Sequence, residues 1–98
     1  MRKIANEAYE AFINCRPFAK SNVRVKIING EPVMSLFGNE IVKLEDDDLL
    51  VCDGGFRHSN TTRDRLSAFV GLVRKNGKLY IDEETPLSSN WQQIAKNF

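Results

Sequence analysis

The first stretch of the chain carries apolar residues at helical spacing. Ile4, Ala8, Ala11, Phe12 and Cys15 fall at i, i+4, i+7, i+8 and i+11, a single stripe, while Glu7 and Glu10 lie off it. This predicts a helix over 3–15. Pro17 ends it, because the residue before a proline is pushed out of the α region. Arg16 sits near the carboxyl end, where a cation suits the helix dipole. The period then changes from 3.6 to 2. Val23, Val25 and Ile27 alternate with Arg24, Lys26 and Ile28 up to Asn29-Gly30, a pair that tolerates the positive φ angles of a tight hairpin turn. Pro32 opens the next run, where its missing donor is acceptable only on an edge or outside a ladder pair. That run continues through 33–37 and stops at Gly38-Asn39. Strands over 41–44 and 49–52 follow, with Asp46-Asp47-Asp48 as the turn between them. Four short strands joined by tight turns make an antiparallel meander.

Asp53-Gly54-Gly55 breaks the sheet, and a second helix begins with Asn60 or Thr61 as its N-cap and Asp64 in its first turn. Leu66, Phe69, Val70 and Val73 give its apolar stripe. Two endings fit, one at Arg74 and one near Gly71. The second is favoured, because it frees 72–75 to pair with 78–82 across Asn76-Gly77. Trp91, Ile94 and Ala95 fit one helical turn docked on the sheet. The predicted order is α-β-β-β-β-α-β-β. The fold class is α+β, an antiparallel β-meander sheet with two helices packed on one face, in a single domain over 1–98. The hairpin would bring the sheet to six strands, whose exposed edges could pair two copies across a twofold axis as a homodimer.

Composition narrows the classes. The chain has 98 residues, enough for one core and too few for two. With 42% apolar and 28% charged residues it is neither disordered nor fibrous. No apolar run exceeds four residues (49–52), so no membrane span is expected. Met1-Arg2-Lys3 has no apolar stretch behind it that would make a signal peptide. A cytoplasmic location follows, with Cys15 and Cys52 as reduced thiols in the core rather than a disulfide scaffold.

The formal net charge is +1, which excludes a uniformly basic nucleic-acid coat. The charges are nevertheless segregated. Read in order, residues 1–27 carry +4, residues 28–56 carry −6, residues 57–81 carry +5 and residues 82–98 carry −2.

Two clusters stand out. Arg57, His58, Asn60, Thr61, Thr62, Arg63 and Arg65 gather at the start of the second helix. Free backbone N–H groups, hydroxyls and guanidinium groups could there hold an anion, either a nucleic-acid phosphate or a carboxylate of a protein partner. The commoner arrangement is that the hydroxyls cap the helix and the arginines sit in solvent. The acidic run Glu45, Asp46, Asp47 and Asp48 is a second interaction patch, suited to docking on a basic surface that otherwise holds nucleic acid. Its plainer role is a solvated hairpin tip that blocks edge-to-edge association. It lacks the ligand spacing of a calcium loop.

Nothing specifies a cofactor or a metal. His58 is the only histidine, and its spacing to Cys15 and Cys52 matches no zinc pattern. A Cys52–His58 nucleophile pair is the remaining catalytic option, and inert core cysteines are the better reading. A single-strand-binding sheet would alternate aromatic with basic residues on neighbouring strands; here Arg24 and Lys26 are present, but Ser35 and Lys43 have no aromatic partner along the sequence. Phe56 and Trp91 are the aromatics expected at an interface.

Two strings resemble a known group. Leu36-Phe37-Gly38-Asn39-Glu40-Ile41 and Thr61-Thr62-Arg63-Asp64-Arg65-Leu66 are similar to segments of small accessory proteins encoded by tailed bacteriophages, as is the element order over about residues 8–91. The chain departs from the group at Gly55-Phe56, where Gly-Trp is expected. The resemblance implies a phage accessory protein acting inside a bacterial host cell, and it brings no catalytic residues. The expected function is non-enzymatic binding. Protein–protein recognition of a host or phage complex, for example inhibition of a bacterial defence system, is the first reading, and nucleic-acid binding at the second helix is the alternative.

Overall fold

The computed structural model describes residues 3–56 and 59–96. In chain order it contains α1 (Lys3–Ile13), β1 (Phe18–Lys20), β2 (Val23–Ile28), β3 (Glu31–Leu36), β4 (Asn39–Glu45), β5 (Asp48–Val51), α2 (Asn60–Leu66), β6 (Val73–Lys75), β7 (Lys78–Tyr80) and β8 (Gln92–Ile94). The architecture is α+β with an antiparallel meander, as the pattern predicts. Six strands form the main sheet in the order β1-β2-β3-β4-β5-β8, every neighbouring pair antiparallel.

Four of its details differ from the expectation. The hairpin β6–β7 pairs across Asn76-Gly77 as predicted, but it forms a separate two-stranded sheet. The main sheet instead reaches six strands through two edge strands. One is β1, whose short run Phe18-Ala19-Lys20 turns back at Ser21 (φ 57°). The other is β8, which replaces the expected helical turn. Gln92 secures its entry, donating to the Pro86 carbonyl at 3.0 Å and accepting from the Ser88 N–H at 2.8 Å, so that the segment pairs Leu49 with Ile94 on the free edge of β5. Finally, α2 stops at Leu66, well before Gly71. The Ser67 hydroxyl donates to the Asp64 carbonyl at 2.6 Å, a local bond that competes with helix continuation. Val73, placed on the helical stripe by its spacing, is consequently 53% exposed.

Four turns share one conformation, with positive φ at both central residues: Asn29-Gly30, Phe37-Gly38, Asp46-Asp47 and Asn76-Gly77. This twist matches the strands it joins. The second lies one residue earlier than the Gly38-Asn39 turn read from the sequence. Pro32 pairs with Ile27 on β2 and lies beyond the last β3–β4 pair, Val33–Lys43, so no ladder donor is missed on that side.

Burial alternates along β2, β3 and β5, whereas in β4 the adjacent Ile41 and Val42 are both buried. Val23, Val25, Met34, Leu36, Val42, Leu49 and Val51 are buried, and with Ala8, Phe12, Leu66, Phe69 and Leu79 they form one apolar cluster. Each large side chain contributes about 1.5–3 kcal/mol by leaving water. The ring of Phe69 meets both Tyr9 and Phe12 edge-on at 5.0 Å, tying α1 to the chain after α2. The residues between the buried ones face the other way. Arg24, Lys26, Ser35, Lys43, Leu50 and Gln93 lie on that second, open sheet face, none of them buried.

Candidate functional site

The two ends of β4, Asn39 and Glu45, mark the two ends of the sheet, six residue steps or roughly 20 Å apart at the usual rise. At one end the β1–β2 turn, the β3–β4 turn, the 53–56 loop and α2 meet. The Phe37 N–H donates to the Asn22 carbonyl at 2.8 Å. The Asn22 side-chain oxygen accepts two bonds from Arg65, from Nε and Nη2, both at 3.2 Å. Phe37 and Phe56 stack edge-on with centroids 5.8 Å apart. The two basic stretches of the sequence, 1–27 and 57–81, are thus joined through Asn22 and Arg65.

The residues predicted at the α2 start divide. Ser59, rather than Asn60 or Thr61, is the N-cap: its Oγ accepts from the Thr62 N–H at 3.1 Å and contacts Thr62 Oγ1 at 2.9 Å. Asp64 therefore falls beyond the first turn. Thr62 is wholly buried and Arg65 only 5% exposed, the latter paired with Asp64 as well as Asn22. Both are structural. Asn60 accepts from Arg74 Nη2 at 2.8 Å, Thr61 is half-buried and Arg63 is exposed. Arg57 and His58 lie outside the described residues, and with His58 the Cys52–His58 pair.

The structure instead displays Phe37. It stands at the tip of the β3–β4 turn with φ 50° and is 64% exposed, more than any other large apolar side chain described. Asn or Asp occupies the same position in the other three turns. Beside it, Arg24, Lys26, Ser35 and Phe37 line a concavity of about 320 Å³. Arg24 and Lys26 make no ion pair among the described residues. Glu40 faces Ser35 across the β3–β4 ladder. The signal for this site was present in the sequence: residues alternating with Met34 and Leu36 must face away from the core, and Phe37 precedes a glycine as Asn29 and Asn76 do.

The other end carries the acidic turn. Glu45 pairs with Lys43 at 2.8 Å, Asp47 pairs with Lys96, and Asp48 accepts from Gln93 Nε2 at 3.1 Å. Asp46 is exposed without an ion pair among the described residues. Trp91 enters β8 one residue beyond the Val51–Gln92 pair, at the end of β5 away from this turn, and the Lys43 ammonium that pairs with Glu45 also lies 4.6 Å from its ring centroid. Lys43 therefore has the aromatic partner that its sequence neighbours do not supply. Of the two aromatics expected at an interface, Trp91 is half-exposed on the open face, and Phe56 is packed between Phe37 and the core.

The cysteines also separate. Cys52 is buried; its Sγ donates to the Glu40 carbonyl at 3.2 Å, and burial pushes its pKa up, helped by the charges of Asp53 and Glu40. Cys15, expected in the core, is exposed. It follows α1 in a left-handed conformation (φ 54°), with Sγ 3.4 Å from the Gly30 carbonyl, because the helix that would have buried it ends at Ile13. Among the described residues no three potential ligands converge to hold a metal ion, and no helix is long and apolar enough to cross a membrane.

Comparison with known proteins gives a family match. The family model for the Kyanoviridae Gp96 protein matches residues 1–97. No curated protein and no solved structure matches the chain.

Proposed function

This chain belongs to the Kyanoviridae Gp96 protein family, a family of tailed phages, and from that premise we propose that it acts without catalysis, inside the host cell, by recognising a protein complex of the host or the phage. The observation that carries this reading is Trp91, presented half-exposed on an open sheet face beside Leu50 and Lys43, the lysine that also pairs with Glu45 of the acidic run. An aromatic anchor surrounded by charged side chains is the arrangement typical of interface hot spots. The open face alone offers on the order of 500 Å², from strand spacing and length. A specific interface buries about 800 Å² per partner. The contact must therefore extend beyond the face, and the acidic run, linked to Trp91 through the Lys43–Glu45 pair, is the natural extension.

Charge complementarity then defines the partner as a basic protein surface. Basic protein surfaces commonly hold nucleic acid, and an acidic tip docked there would displace it. Inhibition of a nucleic-acid-handling defence complex is the form this would take in an infected cell. The test is capture from nuclease-treated host lysate, followed by reconstitution with the captured protein. The expected result is a complex that loses its own nucleic acid when the wild-type chain binds. Trp91→Ala and Asp46→Asn should each weaken it, the second by removing only an exposed charge from a turn that asparagine also suits. No partner from host or infected-cell lysate, or capture unaltered by both variants, overturns the reading.

A further inference from the structure

We propose that the corner of the sheet opposite the acidic turn is a second binding site, for single-stranded nucleic acid, formed by Phe37, Arg24, Lys26 and Ser35. The reasoning starts from the turn. Positive φ at the first central position disfavours side chains other than Asn, Asp and Gly. The three sister turns use Asn29, Asp46 and Asn76 there, and only this one carries an aromatic ring. Strain at an exposed aromatic residue is a reason to look for a function there. Phe56 accounts for one edge of the ring, yet 64% of the side chain remains open to solvent.

The neighbouring chemistry says what the ring would meet. Arg24 and Lys26 are alternate residues of β2, so both project on the open face about 6.6 Å apart along the strand. Successive phosphates of an extended strand can address two such cations. Ser35 is the direct partner of Arg24 on β3 and adds a hydroxyl donor. The cations are not neutralised by carboxylates of the described residues, unlike Lys43 and Lys96 at the other end. A ring standing beside phosphate-binding cations stacks on a base, which requires an unpaired base with a free face. A duplex conceals those faces. Glu40, across from Ser35, opposes the bound phosphate and weakens the site.

The experiment is fluorescence anisotropy of the full chain with a dye-labelled oligothymidylate at low salt. Its affinity should fall with salt along a log–log slope of about −1.4, the value for two phosphate contacts on a single strand. Phe37→Asn, which suits the turn, should bind about tenfold more weakly, and Phe37→Trp should bind as well as the wild type. Arg24→Ala with Lys26→Ala should bind weakly and lose most of the salt slope. Glu40→Gln should bind about twofold more tightly. Absence of binding by the wild-type chain, an unchanged affinity in Phe37→Asn, or equal affinity for polyglutamate overturns the proposal, the last by reassigning the corner to an acidic protein. None of these outcomes depends on Trp91 or Asp46, so this site and the protein-recognition reading stand or fall separately.

Discussion

The two ends of the sheet are built from the same kind of turn and are stabilised in different ways. At the acidic end, Asp46-Asp47 reverses the chain with residues suited to positive φ, and its ion pairs, Lys43–Glu45 and Lys96–Asp47, lie at the surface. At the Phe37 end the turn carries an ill-suited residue, and a buried polar knot compensates: Arg65 reaches Asn22, and Asn22 holds the Phe37 backbone. Surface pairs are worth little because water screens them. A buried arginine cannot be removed without stranding its partners. The acidic end is therefore free to change charge, whereas the Phe37 end is fixed in shape.

The largest expected effect tests that difference. Arg65→Ala should cost about 3 kcal/mol, since it removes a nearly buried guanidinium together with its bonds to Asn22 and Asp64. Asp47→Asn, at the other end, should cost less than about 1 kcal/mol. Urea denaturation of both variants measures the contrast. Equal losses would show that the knot at the Phe37 end has no special weight.

Gly54→Ala comes next. Gly54 has φ 66°, and an added Cβ would lie 2.9 Å from Ile41 Cγ2 and 3.2 Å from the Phe56 ring. Strain and overpacking together should cost about 2–3 kcal/mol. Its neighbour Gly55 has φ 84° with open space around it, so Gly55→Ala should cost only about 1 kcal/mol, the strain alone. The pair separates packing from backbone conformation at a single loop. A similar loss in both would remove the packing contribution.

Phe37→Asn should leave stability within about 1 kcal/mol of the wild type. Relief of the left-handed phenylalanine is worth about 1 kcal/mol, and loss of the edge-on contact with Phe56 about as much in the opposite direction. Thermal melting checks this. A loss well above that range would make Phe37 a structural residue that shields Phe56, and its exposure would then need no ligand.

Much of this contrast was readable in the sequence, and its unread parts have a common cause. Period-2 alternation in 23–28 and 33–36 placed β2 and β3, because their side chains must segregate between a core and water. The Asn-Gly pairs placed two turns for conformational reasons internal to the pair. Segments whose state depends on a distant partner were misplaced. Gln92–Ile94 has no local preference strong enough to outweigh the open edge of β5. Thr62 and Arg65 look like surface residues on a short helix, and only the approach of the β1–β2 turn, 43 residues earlier, buries Arg65. The charge segregation was visible, but its meaning depended on which residues face the open side, and strand alternation alone could have assigned Phe37 to it.

The two cysteines give the smallest effect and distinguish the ends chemically. Cys15 lies by the Asn29-Gly30 turn, at the acidic end of the sheet, and is exposed; Cys52 lies by Gly54, behind the Phe37 turn, and is buried. An alkylating reagent at neutral pH should modify Cys15 rapidly and Cys52 only at the rate of opening of the fold, which peptide mass mapping over time would show. Cys52 also sets a sign for pH dependence. Its folded pKa is raised, chiefly by burial, so the folded chain holds the proton more tightly than the unfolded chain does. Its stabilising contribution is complete below the unfolded thiol value, about 8.5, and is lost as pH rises from there towards the folded value. The loss cannot exceed about 1.4 kcal/mol per pH unit for a single proton. In Cys52→Ala the alkaline slope should flatten, and in Cys15→Ala it should not change. An equal slope in all three proteins would mean that Cys52 ionises as freely in the folded chain as in the unfolded one. The Phe37 end would then be open to water, contrary to the rigidity assigned to it.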